Sequence, residues 1–240
     1  MNPLFTLASA YLVLSSAMSF AEQNDSSIHS TPYAVIGKAY SLKSGELLYQ
    51  EIHRTKESMR TVTYMEADGT VFANKSINYA LSSHQPSFEQ TNDRNGEFIK
   101  VIQQGKDILI TYKASRDEAD STKQLTLTPN MIIDAGFDPF IKEHWQPLLE
   151  GEKFDLDYVV PSKKTTFGFR FGLDKCLENT KDGSVCFSLS PTSWLVKMAV
   201  DPIVVAYEEN TKRLVRFTGR ANISNAKGKY ENVDIRYQYP

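Results

Sequence analysis

Near its C-terminus the chain reads Asn232-Val233-Asp234-Ile235-Arg236-Tyr237-Gln238-Tyr239, in which polar residues alternate with apolar or aromatic ones. Successive side chains of a β-strand point to opposite faces, so this period of two predicts a strand with one apolar and one solvated face. The same alternation recurs over 71–79 and 166–171, and in the second stretch Phe167, Phe169 and Phe171 share a face. The pattern therefore predicts a protein built mainly of half-buried strands.

Turn-forming dipeptides separate these strands at short intervals. They include Ser44-Gly45, Asp68-Gly69, Asn95-Gly96, Asp182-Gly183 and Lys227-Gly228. Such short connections join antiparallel neighbours, because parallel strands need longer crossovers. A twisted sheet of about ten or more strands cannot stay flat. The predicted fold is therefore mainly β, a large curled antiparallel sheet (a half-barrel or barrel-like sheet) with two short helices.

The two predicted helices interrupt the strand pattern. The first covers 138–145, with Asp138 as its N-cap, and Pro147 should end or kink it near Trp145. The second covers 190–200, where apolar residues follow helical spacing. Both are expected to cover the concave side of the sheet.

The first 21 residues are apolar and carry no charged side chain, and they end in Ser19-Phe20-Ala21. Small residues at the third and first positions before the junction are typical of a signal-peptidase site. We interpret 1–21 as a signal peptide, 22–32 as a flexible leader and 33–240 as a single β-rich domain of a periplasmic protein. The alternative is an N-terminal anchor. No later stretch is apolar enough for a membrane helix, so no stable membrane insertion is expected after cleavage.

Cys176 and Cys186 are the two cysteines of the chain. In an oxidising compartment a pair this close in sequence is typical of a disulfide. The intervening Asp182-Gly183 favours a hairpin that would bring the two sulfur atoms together. A redox-active pair is the alternative, but it usually has CxxC spacing, which is absent. We therefore predict a structural disulfide.

The charge and the motifs exclude several classes of function. A formal net charge of −2 argues against nucleic-acid binding. No GxSxG, HExxH, P-loop or GxGxxG motif occurs, and no metal site or cofactor is predicted. Asp155 and Asp157 share one face of a strand, as two-carboxylate hydrolysis or a hard cation would need, but strand alternation alone accounts for them. We expect structural roles for His53, at a solvated position, and for His144.

One set of residues resembles a known group of proteins. It comprises Gly37-Lys38-Ala39-Tyr40, Gly45-Glu46-Leu47-Leu48-Tyr49, Phe137-Asp138-Pro139-Phe140 with His144-Trp145, and Tyr207, Leu214, Phe217-Thr218-Gly219 and Asn222-Ile223. Together they resemble uncharacterised secreted proteins of Gram-negative bacteria. This resemblance implies no catalytic residues. The layout of the predicted fold is similar to that of periplasmic carriers of lipoproteins and lipids.

These observations favour a non-enzymatic periplasmic protein that binds an apolar or lipid-like ligand on an aromatic concave face. The candidate ligand-binding residues are Trp145, Phe167, Phe169, Phe171 and Trp194. One alternative is an envelope interaction or structural module with a filled core. The other is an unrecognised hydrolase that uses Asp155, Asp157 or His144. The pattern does not indicate an oligomeric state.

The signal-peptide interpretation predicts that the exported protein begins at Glu22 and stays in solution without detergent. The reason is that Ser19 and Ala21 fit the shallow subsites of signal peptidase. Intact-mass measurement of exported protein checks this prediction, and a mass that retains Met1 would contradict it.

Overall fold

The strands that the structure describes lie in one sheet. The computed structural model describes residues 34–194, 198 and 201–240. The predicted signal peptide (1–21) and leader (22–32) lie outside these residues. The sheet contains fifteen strands. They are β1 (Val35–Ser41), β2 (Leu47–Lys56), β3 (Met59–Met65), β4 (Val71–Asn78), β5 (Ser87–Asn92), β6 (Glu97–Gln104), β7 (Asp107–Lys113), β8 (Ser121–Thr126), β9 (Met131–Ile132), β10 (Phe154–Val160), β11 (Thr165–Asp174), β12 (Ser184–Pro191), β13 (Ile203–Glu208), β14 (Arg213–Ser224) and β15 (Tyr230–Gln238).

The strand order is two meanders joined side by side. It runs from β8 back to β1, continues to β15, and runs back to β9. The pairing of β1 with β15 joins the meanders, with Gly37 opposite Tyr237. All neighbours are antiparallel except β9 and β10. Because β8 and β9 are edges that do not pair with each other, the sheet is not closed.

The sheet curls until its first half meets its last strands. Ile77, Phe88 and Ile110, on β4, β5 and β7, belong to the same buried cluster as Met131 on β9 and Val159 on β10. Strands so far apart in the sheet order can share a core only across the inside of the curl. The predicted fold class, a large curled sheet that is mainly β with two short helices, is confirmed.

In the part of the chain that the structure describes, two short α-helices lie between β9 and β10. They are α1 (Phe137–Glu143) and α2 (Trp145–Leu149), separated by a non-helical His144. This break is the predicted kink near Trp145, because Pro147 fits only the first turn of a new helix. Asp138 is not the N-cap, which corrects the prediction. Its carboxylate instead accepts hydrogen bonds from other side chains.

The predicted start of the second helix, at Ser190, is wrong. Ser190 and Pro191 are the last residues of β12, where they pair with Arg170 and Phe169 of β11. Sheet pairing therefore outweighs the helix-start pattern there. Residues 195–197, 199 and 200 lie outside the described residues. Within the described part of the chain, no helix has both the length and the apolar character that crossing a membrane requires.

Cys176 and Cys186 form a disulfide beside the β11–β12 hairpin, as predicted. Their Cα atoms are 5.1 Å apart, within the usual range for a bridge. Cys186 is buried on β12, opposite Asp174, and Cys176 lies just beyond the end of β11. The bond therefore ties the loop between the strands to the sheet.

Cys176→Ser should lower the free energy of unfolding by about 2–3 kcal/mol, because it removes the closure of a short loop from the unfolded chain. Urea denaturation under non-reducing conditions measures the change. The reduced wild-type protein is the control and should show a similar loss. Equal stability of the variant and the oxidised wild type would contradict the prediction.

Candidate functional site

A cavity of about 550 Å³ lies on the inner face of the curled sheet. Its wall is mainly apolar and aromatic, and α1 contributes to one side. The apolar and aromatic residues that line it include Phe88, Ile99, Phe137, Tyr158, Val159, Phe167, Phe169, Leu189, Ile203, Leu214, Phe217, Ala221, Ile235, Tyr237 and Tyr239. Three of these, Ile235, Tyr237 and Tyr239, form the apolar face of the stretch 232–239.

The structure divides the five candidate ligand-binding residues among three environments. Phe167 and Phe169 line the cavity. Phe171 and Trp145 are buried in the core that α1 and α2 form with the sheet. Trp194 is 68% exposed and does not line the cavity. Two of the five residues therefore lie together at the cavity wall.

A buried acid–histidine pair lies on the inner face of β2. Glu51 is 2% exposed, and its Oε2 atom lies 2.9 Å from Nε2 of His53. The Tyr237 hydroxyl donates to the same oxygen at 3.3 Å. Burial, and next the Glu51 carboxylate, raise the pKa of Tyr237 well above its usual value, so the hydroxyl remains a neutral donor. His53 lines the cavity, which corrects the expected solvated position.

Gly37 makes room for this arrangement. A Cβ atom at this position would lie 2.9 Å from Cε1 of Tyr237 and 3.2 Å from Oε2 of Glu51. Any side chain at position 37 would therefore displace the tyrosine ring. A glycine inside a strand pattern often marks such a close approach. Gly37 is therefore the sequence feature that could have indicated crowding on the inner face of β1.

A buried ion pair joins β4 to the segment that precedes α1. Nζ of Lys75 lies 2.7 Å from Oδ1 of Asp134, and the lysine is 3% exposed. The Tyr158 hydroxyl donates to the main-chain oxygen of Asp134. Asp134 has a φ of 46°, a left-handed conformation that aspartate tolerates better than most residues. Lys75 also lies above the ring of Phe88, at 5.1 Å.

A third buried carboxylate, Asp138, lies on α1. It accepts hydrogen bonds from the Tyr207 hydroxyl at 3.1 Å and from Nζ of Lys142 at 2.9 Å. A guanidinium nitrogen of Arg60 lies 3.9 Å away. Burial, and next Asp138, raise the pKa of Tyr207 well above its usual value. The sequence pattern suggested an N-cap for Asp138 because it did not show that α1 turns this side chain inward.

The remaining candidate residues lie away from the cavity lining. Asp155 is exposed and bound by two guanidinium nitrogens of Arg170, each at 2.7 Å. These hydrogen bonds lower the pKa of the Asp155 carboxyl. Asp157 accepts a hydrogen bond from Asn130, and the His144 ring stacks on Phe140 with centroids 4.2 Å apart. In the described residues, no three His, Cys, Asp or Glu side chains are grouped so that they could hold a metal ion.

Comparison with known proteins gives a likeness of fold. No protein family and no curated protein matches the chain. Among solved structures, the chain is similar to one described as a beta-barrel-like protein of domain of unknown function DUF1849 from Brucella abortus. The TM-score is 0.53, with 8% identity over 87% of this chain and 95% of that chain. The fold is shared. The likeness is thus to an uncharacterised β-sheet protein, and at this identity it shows the fold alone.

Lys75→Met should lower the free energy of unfolding by about 3–5 kcal/mol, because it leaves the buried Asp134 carboxylate without its cation. The double variant Lys75→Met/Asp134→Asn should recover most of this loss, since neither side chain is then charged. Urea denaturation followed by tryptophan fluorescence measures both.

Lys100→Met is the matched control, because Lys100 forms a more exposed ion pair with Glu89 and such pairs contribute little. If Lys75→Met costs no more than Lys100→Met, the buried pair does not stabilise the curl.

Proposed function

We propose that this chain is a non-enzymatic periplasmic protein that binds an amphiphilic ligand, with the apolar part of the ligand inside the curled sheet. The observation that carries this proposal is the cavity of about 550 Å³ with its aromatic wall. Small-molecule sites typically have volumes of about 300–1,000 Å³ and mainly apolar walls with a few placed polar groups. The cavity has both properties.

The packing of the helices supports a binding role. Ile141, Trp145 and Leu148 are buried against the inner face of β10–β14, so α1 and α2 fill that part of the curl. They leave the faces of Phe167, Phe169 and Phe217 lining the cavity. Apolar surface of this extent gains free energy when a ligand removes it from water. The apolar part of a ligand in the cavity would contact the sheet in the same way as the helix side chains do next to the cavity.

The periplasmic location rests on two observations. The sequence begins with the features of a signal peptide, and Cys176 and Cys186 are joined in a disulfide. Disulfides are common in the bacterial periplasm and rare in the cytosol. The likeness to the Brucella protein supports the fold and carries no information about location.

The second candidate is an interaction or structural module without a ligand. The well-filled core around α1 and α2 favours it, since Phe171, Phe187 and Leu148 are all fully buried. The two candidates differ in what occupies the cavity. Binding measurements on the purified protein therefore separate them.

Native protein should bind an environment-sensitive apolar dye saturably, with a micromolar dissociation constant, and decanoate should displace the dye. Phe167→Asp places a carboxylate in the apolar wall and should weaken dye binding by about tenfold or more. Phe169→Asp should act in the same way. Because Phe169 belongs to the buried core, its variant also needs a check of folding by circular dichroism.

Phe98→Asp is the control, because Phe98 is half-buried on β6, outside the cavity lining. It should leave dye binding unchanged. The absence of saturable binding to native protein would contradict the proposal and favour the structural module. Equal losses in Phe98→Asp and Phe167→Asp would show that the dye does not report on the cavity.

A further inference from the structure

The carboxylates that line the cavity are already hydrogen-bonded within the protein. There are three among the described lining residues, Glu51, Asp134 and Asp138. Each has a nitrogen partner within hydrogen-bonding distance: Nε2 of His53 at 2.9 Å, Nζ of Lys75 at 2.7 Å and Nζ of Lys142 at 2.9 Å, respectively. Each carboxylate of the lining thus already has one nitrogen partner in the protein.

The basic residues of the lining are not balanced in the same way. Arg213, Arg220 and Lys163 take part in no ion pair within the part of the chain that the structure describes. Arg60 has only the long contact of 3.9 Å to Asp138, whose carboxylate is already bound by Lys142. The lining therefore carries an excess of positive charge.

One of these cations lies over an aromatic residue of the lining. The guanidinium of Arg213 lies over the ring of Tyr239, with Cζ 5.1 Å from the centroid. Burial raises the pKa of Tyr239 to about 12, Asp138 adds to the rise, and Arg60 and Arg213 oppose it. Arg213 lines the cavity from β14, and Arg60 lines it from β3. The Tyr239 hydroxyl donates to the main-chain oxygen of Leu214 at 2.9 Å, which fixes the ring under the Arg213 guanidinium.

Resting on the proposed function, we infer that the ligand is an anionic amphiphile whose carboxylate or phosphate headgroup binds the guanidinium groups of Arg60 and Arg213 at the cavity lining. Guanidinium groups present several donors in a planar fork that fits both anions. The apolar wall at Leu214 and Phe217 continues from this end of β14 and offers contacts to the tail. Headgroup and tail are thereby recognised by different parts of one cavity.

The test compares ligands that share one tail and differ in headgroup. Decanoate, decyl phosphate, decanol and decyltrimethylammonium each compete with the apolar dye below their micelle concentrations. Decanoate and decyl phosphate should displace the dye at about tenfold lower concentration than decanol, and the ammonium compound should be the weakest. Inorganic phosphate alone should not displace the dye, because it lacks the tail.

Arg60→Gln and Arg213→Gln should each reduce the preference for decanoate over decanol by about fivefold or more, without changing displacement by decanol. Arg213→Lys keeps the charge and should retain part of the preference. Lys56→Gln is the matched control, because Lys56 is an exposed cation on β2 next to Thr55, a lining residue, and strand alternation places it on the opposite face.

The outcomes separate this inference from the proposed function. If all four ligands displace the dye equally, the cavity binds apolar chains, but the inference of an anionic headgroup is wrong. If Lys56→Gln also loses the preference, the preference comes from the general electrostatic field of the protein, which would contradict headgroup binding by Arg60 and Arg213. Failure of the dye to bind native protein contradicts the proposed function itself.

Discussion

The buried pair of Lys75 and Asp134 connects parts of the sheet that no strand pairing joins. Lys75 lies on β4, in the first meander, and Asp134 follows β9, at the far edge of the second. Because β8 and β9 do not pair, the curl is held by contacts across its inside. A second group of contacts does the same at another place, where Asn92 donates to the Ser224 main-chain oxygen and Glu97 accepts from the Ser224 hydroxyl. Both are buried polar contacts with defined partners, and a curl with a different radius would leave them unpaired.

These cross-contacts also explain why the inside of the sheet is only partly filled. The connection between β9 and β10 covers residues 133–153, and its two helices pack against β10–β14. Asp134 and Asp138 anchor that connection to Lys75 on β4 and to Tyr207 on β13, and so limit how far the helices reach. The cavity is the space that this anchored connection does not occupy.

The buried charges have two consequences for the site. Each carboxylate of the lining needs a partner because an unpaired buried charge is costly, and one of these pairs, Lys75 with Asp134, also joins the two meanders. Once they are paired, the cations that remain at the lining face a mainly aromatic wall. Guanidinium groups are stable there because they stack on aromatic rings, as Arg213 does on Tyr239.

The sequence by itself determined the strands, their turns, the curled sheet, the break near Trp145 and the Cys176–Cys186 bridge. All of these depend on local patterns: a period of two, turn residues, a proline and the spacing of two cysteines. Only the tertiary structure decided that Phe167 and Phe169 line a cavity whereas Phe171 is buried in the core, although all three share one face of β11. It also decided that Glu51, Lys75 and Asp138 point inward. The physical reason is that alternation assigns a side chain to one face of the sheet. Whether that face lines a cavity or is buried in a core depends on which distant element the curl brings against it.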